Sequence, residues 1–267
     1  MSIITNFLHN LPMYLLSLPV LLMAFSVHET AHGYVAYRLG DPTARNLGRL
    51  TLNPLKHLDP IGTICMVLFH MGWAKPVPIN TRYFKNPKRD MALSGAAGPL
   101  SNLLLALIHL LILRIGMLFV PNVFKDEIIR YVLSLGGDTG FKASLGFIVT
   151  AVLTYILYLG VVLNLSLAIF NLIPVPPFDG SRIFYAFLPT KWYFAVMKYE
   201  RYIMIAILIL FWVGLLDRPL GWLLNVIING LFKLTGLMPA ADGSRNGGTT
   251  LNIFLYFIDN LLRPSPY

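Results

Sequence analysis

The sequence predicts an all-α polytopic membrane protein with about five transmembrane helices, plus a re-entrant segment with short membrane-associated β-strands. Of its 267 residues, 56% are apolar and 12% are charged, about half the charged fraction of a typical soluble domain. One apolar run has only 12 residues, 61–72, and is therefore expected to re-enter the membrane rather than to span it. Five others are long enough to cross a bilayer, and they cover residues 12–37, 91–120, 144–172, 202–216 and 219–238.

The distribution of Lys and Arg orients these helices. The loops on either side of the short run, 38–58 and 73–90, are both basic, which favours a cytoplasmic position for both and a re-entrant run between them. This topology predicts a multi-pass protein of the cell membrane with its N-terminus outside. The first apolar run has no Lys or Arg before it, so we expect a retained helix rather than a cleaved signal peptide. The net charge of +9 is spread over loops without a nucleic-acid-binding motif, so no nucleic-acid partner is expected.

The flanks of the short run carry the predicted strands. Residues 49–53 alternate polar and apolar side chains, and residues 73–79 are broken by prolines, which restricts them to a sheet edge. A plain cytoplasmic loop is the alternative for both flanks. Near the end of the chain, a turn-rich break at 241–249 precedes an amphipathic stretch, 250–262, which is expected to lie on the membrane surface.

The strongest chemical signal is the run His28-Glu29-Thr30-Ala31-His32, which lies inside the first apolar run. Helical spacing of i and i+4 puts His28 and His32 on one face, from which two imidazoles can reach one zinc ion. Glu29 lies beside them, where a carboxylate can deprotonate a zinc-bound water. Ordinary buried side chains are the alternative, but an ionisable residue at membrane depth is a functional candidate by default.

A catalytic zinc usually takes three protein ligands, and Asp179 is the best candidate for the third. It follows the span 144–172 at the predicted cytoplasmic end, at the depth expected of the two histidines. Three prolines before it interrupt the helix, and Gly180 permits a close backbone approach after it. Glu127 is disfavoured as external, and His109 is expected to be a packed histidine or one bonded to a backbone carbonyl. The chain's further candidates are His9, His57, His70 and Glu200.

Together, the His-Glu-x-x-His run and the Asp-Gly pair at 179–180 resemble the site-2 protease family of intramembrane zinc metalloproteases. The resemblance covers about residues 20–190. Three further motifs contribute to it: Gly-Arg-Leu-Thr-Leu-Asn-Pro at 48–54, Gly-Trp-Ala-Lys-Pro-Val-Pro at 72–78 and Ala-Gly-Pro-Leu-Ser-Asn at 97–102.

The resemblance implies a role for each of five residues. His28, His32 and Asp179 would be the zinc ligands, and Glu29 would be the general base. Asn171 would correspond to the asparagine that helps to hold the scissile peptide or its oxyanion. From its position alone, the alternative is a cap on freed backbone at the end of its helix.

The implied domain plan is an intramembrane metalloprotease core at residues 1–190. Residues 191–267 would add transmembrane helices and the amphipathic tail to the same membrane domain. Many relatives carry a PDZ or CBS domain, but the loops at 38–58, 73–90 and 121–143 are far below domain size, which indicates a compact type. The sequence identifies neither the substrate nor the oligomeric state.

The implied activity is hydrolysis of peptide bonds in membrane-embedded or membrane-anchored proteins, with the lipid bilayer and such a protein as partners. Glu29 would take a proton from the zinc-bound water and pass it to the leaving amine. The strand-like flanks would accept an unwound substrate by β-augmentation. The alternative is a membrane metal transporter or metal sensor that uses the same His/Asp site without hydrolysis, and a catalytically inactive scaffold is a third hypothesis. The few polar residues in the other spans disfavour a transport path.

Overall fold

The computed structural model describes residues 3–59, 75–120 and 145–235. These residues are mostly helical, and the described part of the chain holds no β-strand. In chain order, the helices are α1 (Ile3–Arg38), α2 (Thr43–Asn46), α3 (Pro87–Phe119), α4 (Leu145–Asn171), α5 (Gly180–Phe187), α6 (Thr190–Trp212) and α7 (Asp217–Leu234). Two short 3-10 turns, Pro54–Lys56 and Thr81–Tyr83, lie in the connection between α2 and α3.

Three segments of the described chain are long and apolar enough to cross a membrane. They are Leu15–Arg38 in α1, Pro87–Phe119 in α3 and Val149–Asn171 in α4, and they correspond to the first three predicted spans. The fourth and fifth predicted spans fall largely on α6 and α7, which carry four and three charged residues respectively. Membrane crossing by these two helices therefore stays a prediction.

The strands predicted beside the short run do not form in the described residues. Residues 49–53 and 75–79 have irregular backbone, and among the described residues no ladder of backbone hydrogen bonds joins these two ranges. Arg49 Nη2 donates to Lys75 O at 2.7 Å, and Lys75 N donates to His57 O at 2.8 Å. Prolines at 54, 76 and 78 remove amide hydrogens that a ladder would need, which explains the difference. The re-entrant run 61–72 and the amphipathic stretch 250–262 lie outside the described residues.

The described residues pack as two compact units, and α1, α3 and α4 each contribute one part to each unit. The first unit comprises Met1–Leu21, Leu105–Leu163 and Arg218–Tyr267. Its buried positions on α3 are Ala106, Leu110, Leu113 and Met117, which recur at the three- and four-residue spacing of a helix face. His109, in the same unit, bonds through Nδ1 to Leu105 O at 2.7 Å, as expected of a histidine bonded to a backbone carbonyl.

The second unit comprises Leu22–Leu104 and Asn164–Asp217, and it contains every residue of the candidate site. A buried aspartate ties its loops together. The Asp41 carboxylate is fully buried and accepts from Thr43 N at 3.0 Å, from the Thr43 hydroxyl, and from Asn80 N at 2.7 Å. We call these three residues the Asp41 clasp. It joins the chain just after α1 to the chain just before α3, so both loops are held beside the helix that carries His28.

Candidate metal centre

The structure brings the three predicted ligands together. His28 and His32 lie one turn apart on α1, and Asp179 lies directly before α5, 151 residues from His28 along the chain. His28 Nε2 is 3.0 Å from Asp179 Oδ2, and His32 Nε2 is 3.2 Å from the same oxygen. The two Nε2 atoms are 3.0 Å apart. We call these three residues the His-His-Asp cluster.

The donor set and its spacing fit a zinc ion. Two imidazole nitrogens and one carboxylate oxygen are typical zinc ligands. Ligands about 2.0–2.2 Å from a tetrahedral ion are about 3.3–3.5 Å apart, so separations of 3.0–3.2 Å need adjustments of only a few tenths of an ångström. His28 and His32 are buried, whereas the Asp179 side chain is 24% exposed, so the cluster is accessible from the side of Asp179.

Hydrogen bonds at the far edge of each imidazole determine which nitrogen faces the cluster. His28 Nδ1 is 2.6 Å from Asn102 Oδ1, and His32 Nδ1 is 2.7 Å from Ser94 O. Both oxygens are acceptors, so each Nδ1 carries a hydrogen and each neutral ring presents an Nε2 lone pair to the cluster. Two such lone pairs then face a carboxylate oxygen. That arrangement is unfavourable without a positive charge among them, and a metal ion supplies one.

The Asp179 carboxyl is suited to remain ionised. Burial raises the pKa of Asp179, but when the metal-free imidazoles of His28 and His32 are protonated, their N–H donors and positive charge lower that pKa below its ordinary value. An ionised carboxylate is the form that binds a metal ion. The lowered pKa therefore favours the form of Asp179 that can act as a metal ligand.

Two glycines allow close backbone packing at the site, one beside the imidazoles and one beside the turn that follows α4. A Cβ at Gly98 of α3 would lie 2.6 Å from His28 Cε1 and would also meet the His32 ring, so any side chain there would displace the imidazoles. A Cβ at Gly180 would lie 2.5 Å from Ile173 O, which confirms the predicted close approach after Asp179. Residues 172–179 form irregular turns after α4, as the three prolines predict.

Glu29 lies next to His28 on α1, and its side chain is directed to the loop before α3. Its Oε2 accepts the Val77 N–H at 2.8 Å, and the residue is half-buried. The carboxylate is therefore oriented by a backbone donor while it remains next to the His-His-Asp cluster along the helix. Its predicted role as a general base stays a prediction.

Asn171 ends α4, eight residues before Asp179. Its amide nitrogen donates to Leu167 O at 3.0 Å, one turn back in the same helix. This bond is of the kind expected from the capping alternative, and it uses one of the two amide hydrogens. The other hydrogen and the amide oxygen are what a substrate peptide would contact, and that role stays a prediction.

Sequence reasoning did not assign a role to the groups that orient the histidines. Asn102 belongs to one of the motifs that carry the resemblance, and a buried amide in an apolar span was a usable signal. Ser94 contributes only its backbone carbonyl to His32. Every residue type has that carbonyl, so the sequence does not indicate which one accepts the hydrogen bond. Asn164 is fully buried in α4 and bonds Asn102, which required knowledge of helix packing.

Comparison with known proteins establishes the family. The family model of Peptidase family M50 matches residues 16–213, a range that contains all five predicted site residues. This chain belongs to peptidase family M50, the site-2 protease family. The predicted resemblance is therefore confirmed.

Two curated relatives cover most of the chain. "Putative zinc metalloprotease YwhC" of Bacillus subtilis (strain 168) is 38% identical over 214 residues, which cover 80% of this chain and 88% of that protein. "Putative zinc metalloprotease Rip2" of Mycobacterium tuberculosis (strain ATCC 25618 / H37Rv) is 27% identical over 231 residues, which cover 84% of this chain and 76% of that protein. No solved structure matches the chain.

Proposed function

We propose that this chain is a zinc-dependent intramembrane endopeptidase that hydrolyses peptide bonds of membrane-embedded or membrane-anchored proteins. The observation that carries the proposal is the convergence of His28 Nε2, His32 Nε2 and Asp179 Oδ2 at 3.0–3.2 Å. Both histidines lie on a segment that is long and apolar enough to cross a membrane. The membership of the chain in a metalloprotease family supports the same activity.

In the proposed mechanism, the His-His-Asp cluster holds zinc and Glu29 moves the proton. When bound, zinc supplies a Lewis acid that lowers the pKa of water and polarises a peptide carbonyl. Glu29 accepts the proton of the attacking water and passes it to the leaving amine. The Val77 N–H that bonds Glu29 at 2.8 Å keeps the carboxylate oriented. Asn171 would hold the scissile peptide or its oxyanion with the amide groups that Leu167 does not use.

The proposed substrate is a membrane segment that unwinds locally, because helical hydrogen bonds otherwise hide its carbonyl groups. Residues 75–78 limit how such a segment can pair with the enzyme. The N–H groups of Lys75 and Val77 already donate to His57 O and Glu29, and the two prolines have none. A substrate strand at 75–78 would therefore have to use the carbonyl groups of this stretch or displace Glu29 from Val77.

We further propose a multi-pass arrangement in the cell membrane with about five spans and an external N-terminus. The basic loops 38–58 and 73–90 would then both face the cytoplasm. Single cysteines placed at Arg45 and Lys85, with Cys65 replaced by Ser, should both be labelled from the cytoplasmic side. Labelling from opposite sides would mean that the run between them spans the membrane.

The test of the activity compares membrane proteomes of cells that make the wild-type protein or Glu29→Gln. Wild-type cells should accumulate truncated membrane proteins that are missing with Glu29→Gln. The zinc content of the purified variant should stay near one per chain, because Glu29 is not a ligand. Glu200→Gln is the matched control, since Glu200 is a partly exposed acid paired with Arg182 at 3.6 Å outside the cluster, and it should cleave normally. Identical fragments in wild-type and Glu29→Gln cells would overturn the proposal.

A further inference from the structure

Asn102 is the centre of a buried polar network that joins three helices behind the His-His-Asp cluster. Its Oδ1 lies 2.6 Å from His28 Nδ1 on α1. Its Nδ2 donates to Ala24 O on α1 at 3.1 Å and to Asn164 Oδ1 on α4 at 2.8 Å. Asn102 and Asn164 are both fully buried, so these contacts do not compete with water.

The carbonyl of Ala24 determines which way the Asn102 amide points. A carbonyl can only accept, so the group that faces Ala24 O must be the Asn102 NH2. The amide oxygen must then face His28, and an oxygen can only accept a hydrogen from Nδ1. The network thus specifies the Nδ1–H tautomer of neutral His28 and leaves the Nε2 lone pair directed at Asp179.

We propose that Asn102 is a positioning residue that holds His28 in the tautomer able to bind metal, and that Asn164 supports the orientation of Asn102 that the carbonyl of Ala24 sets. The inference rests on the proposed zinc site and adds two residues to it. Neither asparagine contacts the reacting atoms; both act through His28.

The two histidines are held by different kinds of acceptor. His32 donates to the backbone carbonyl of Ser94, which no side-chain substitution removes, whereas His28 depends on a side chain. Without the Asn102 oxygen, a buried Nδ1–H would lose its acceptor, and the neutral ring would gain by moving its hydrogen to Nε2 beside Asp179. A hydrogen on Nε2 occupies the lone pair that the metal needs. Loss of such an orienting partner typically lowers metal affinity about 10- to 100-fold.

Zinc affinity of the full-length protein in detergent, measured by competition with a chelator, tests the proposal. Asn102→Leu keeps the volume but removes the acceptor, and its zinc Kd should rise about 10- to 100-fold. Asn102→Asp restores an acceptor for His28 Nδ1–H, but its second oxygen faces the acceptors Ala24 O and Asn164 Oδ1, so it should recover only part of that loss. Asn164→Leu should raise the Kd by less than Asn102→Leu, because it only loosens the Asn102 amide.

Ser26→Ala is the matched control. It alters a buried polar side chain on α1, whose hydroxyl donates to Leu22 O one turn back in the same helix. Its zinc Kd should stay within about twofold of wild type, because no contact that orients His28 or His32 is lost. A zinc Kd for Asn102→Leu that equals the Kd of Ser26→Ala would overturn the proposal.

Nitrogen-15 NMR of histidine-labelled, metal-free wild-type protein reports which ring nitrogen of His28 carries the hydrogen. That position would not change if Asn102 only stabilised the fold. At a pH high enough to make both imidazoles neutral, His28 should carry its hydrogen on Nδ1, and Asn102→Leu should shift that hydrogen to Nε2. A wild-type His28 with its hydrogen on Nε2 overturns the role of Asn102 even if Asn102→Leu fails to fold. A wild-type protein that binds no zinc would instead remove the proposed function, so the two failures are distinguishable.

Discussion

Asp41 and Asp179 are largely or fully buried aspartates in the same compact unit, and their carboxylates face opposite kinds of neighbour. Asp41 accepts from two backbone N–H groups and one hydroxyl, all of which are donors. Asp179 faces the Nε2 atoms of two imidazoles whose hydrogens are committed to Asn102 and Ser94 at the opposite ring edge. The Asp41 carboxylate is saturated by protein donors, whereas Asp179 Oδ2 faces the lone pairs of two rings that are neutral in this arrangement of the described residues.

This difference separates a structural acid from a candidate ligand without reference to its position in the sequence. A buried carboxylate that collects donors stabilises the loops that supply them, as in the Asp41 clasp. A carboxylate that faces lone pairs needs a cation from outside the chain. Residue type is the same at the two sites, and burial differs in degree, since Asp41 is fully buried and the Asp179 side chain is 24% exposed. The direction of the surrounding hydrogen bonds is what decides the role.

The largest effect is expected from Asp179→Ala. Removing the carboxylate from the His-His-Asp cluster should reduce bound zinc from about one per chain to near zero, and cleavage should be lost with it. His28→Ala and His32→Ala should do the same. Metal analysis of purified protein checks this, with Glu200→Ala as the control that keeps its zinc. Full zinc content in Asp179→Ala would show that a different residue is the third ligand.

Asn171→Ala tests a residue that could be either structural, like Asp41, or functional, like Asp179. Its amide donates to Leu167 O, as a structural side chain would, whereas the family resemblance assigns it to the substrate. We expect cleavage per zinc-loaded enzyme to fall about 10- to 1000-fold, the range for losing one such donor, with zinc content unchanged. Single-turnover cleavage of a reconstituted substrate measures this. Normal turnover together with a stability loss of about 1 kcal/mol would make Asn171 a cap.

Gly98→Ala tests whether zinc affinity depends on the space that Gly98 leaves beside the two imidazoles. The added methyl group would meet both histidine rings, and overpacking of this kind costs about 1–3 kcal/mol. If the rings move to relieve it, zinc affinity should fall about 5- to 150-fold. Chelator competition measures the Kd. Gly116→Ala on the same helix is the control, because a Cβ there meets no atom within 4 Å.

Asp41→Asn should give the smallest effect on metal and a measurable effect on stability. The amide leaves buried donors in the Asp41 clasp without their charged acceptor, at a cost of about 1.5–3 kcal/mol in the free energy of unfolding. Zinc bound per folded chain should stay at the wild-type level. Thermal unfolding tests the expected loss of stability, and metal analysis of the same sample tests the unchanged zinc content. Loss of zinc from a folded Asp41→Asn protein would break the distinction between the two aspartates.

The sequence predicted the cluster because its ligands have signals that survive without a structure. His28 and His32 have helical spacing inside an apolar run, and Asp179 follows prolines that end a span at the same depth. Alternation predicts the strand at 49–53, and the proline-broken stretch 73–79 is expected to be an edge strand. The described residues 49–53 and 75–79 are irregular instead, because the prolines lack amide hydrogens that a ladder would need. The Asp41 clasp and the contact between His28 and Asn102 were not predicted because each joins residues far apart in the chain. The acceptor of His32 was not predicted because it is a backbone carbonyl.

The carbonyl of Ser94 has a consequence for how inactivating mutations should be distributed. Every amino acid at position 94 brings the same backbone oxygen, so a single codon change cannot delete the acceptor of His32. The acceptor of His28 is encoded by a side chain, and almost any substitution at Asn102 removes it. In a saturation mutagenesis screen, small residues should therefore be tolerated at 94, while 102 accepts almost nothing. Missense mutations at codon 94 therefore leave the acceptor of His32 in place, whereas most missense mutations at codon 102 remove the acceptor of His28.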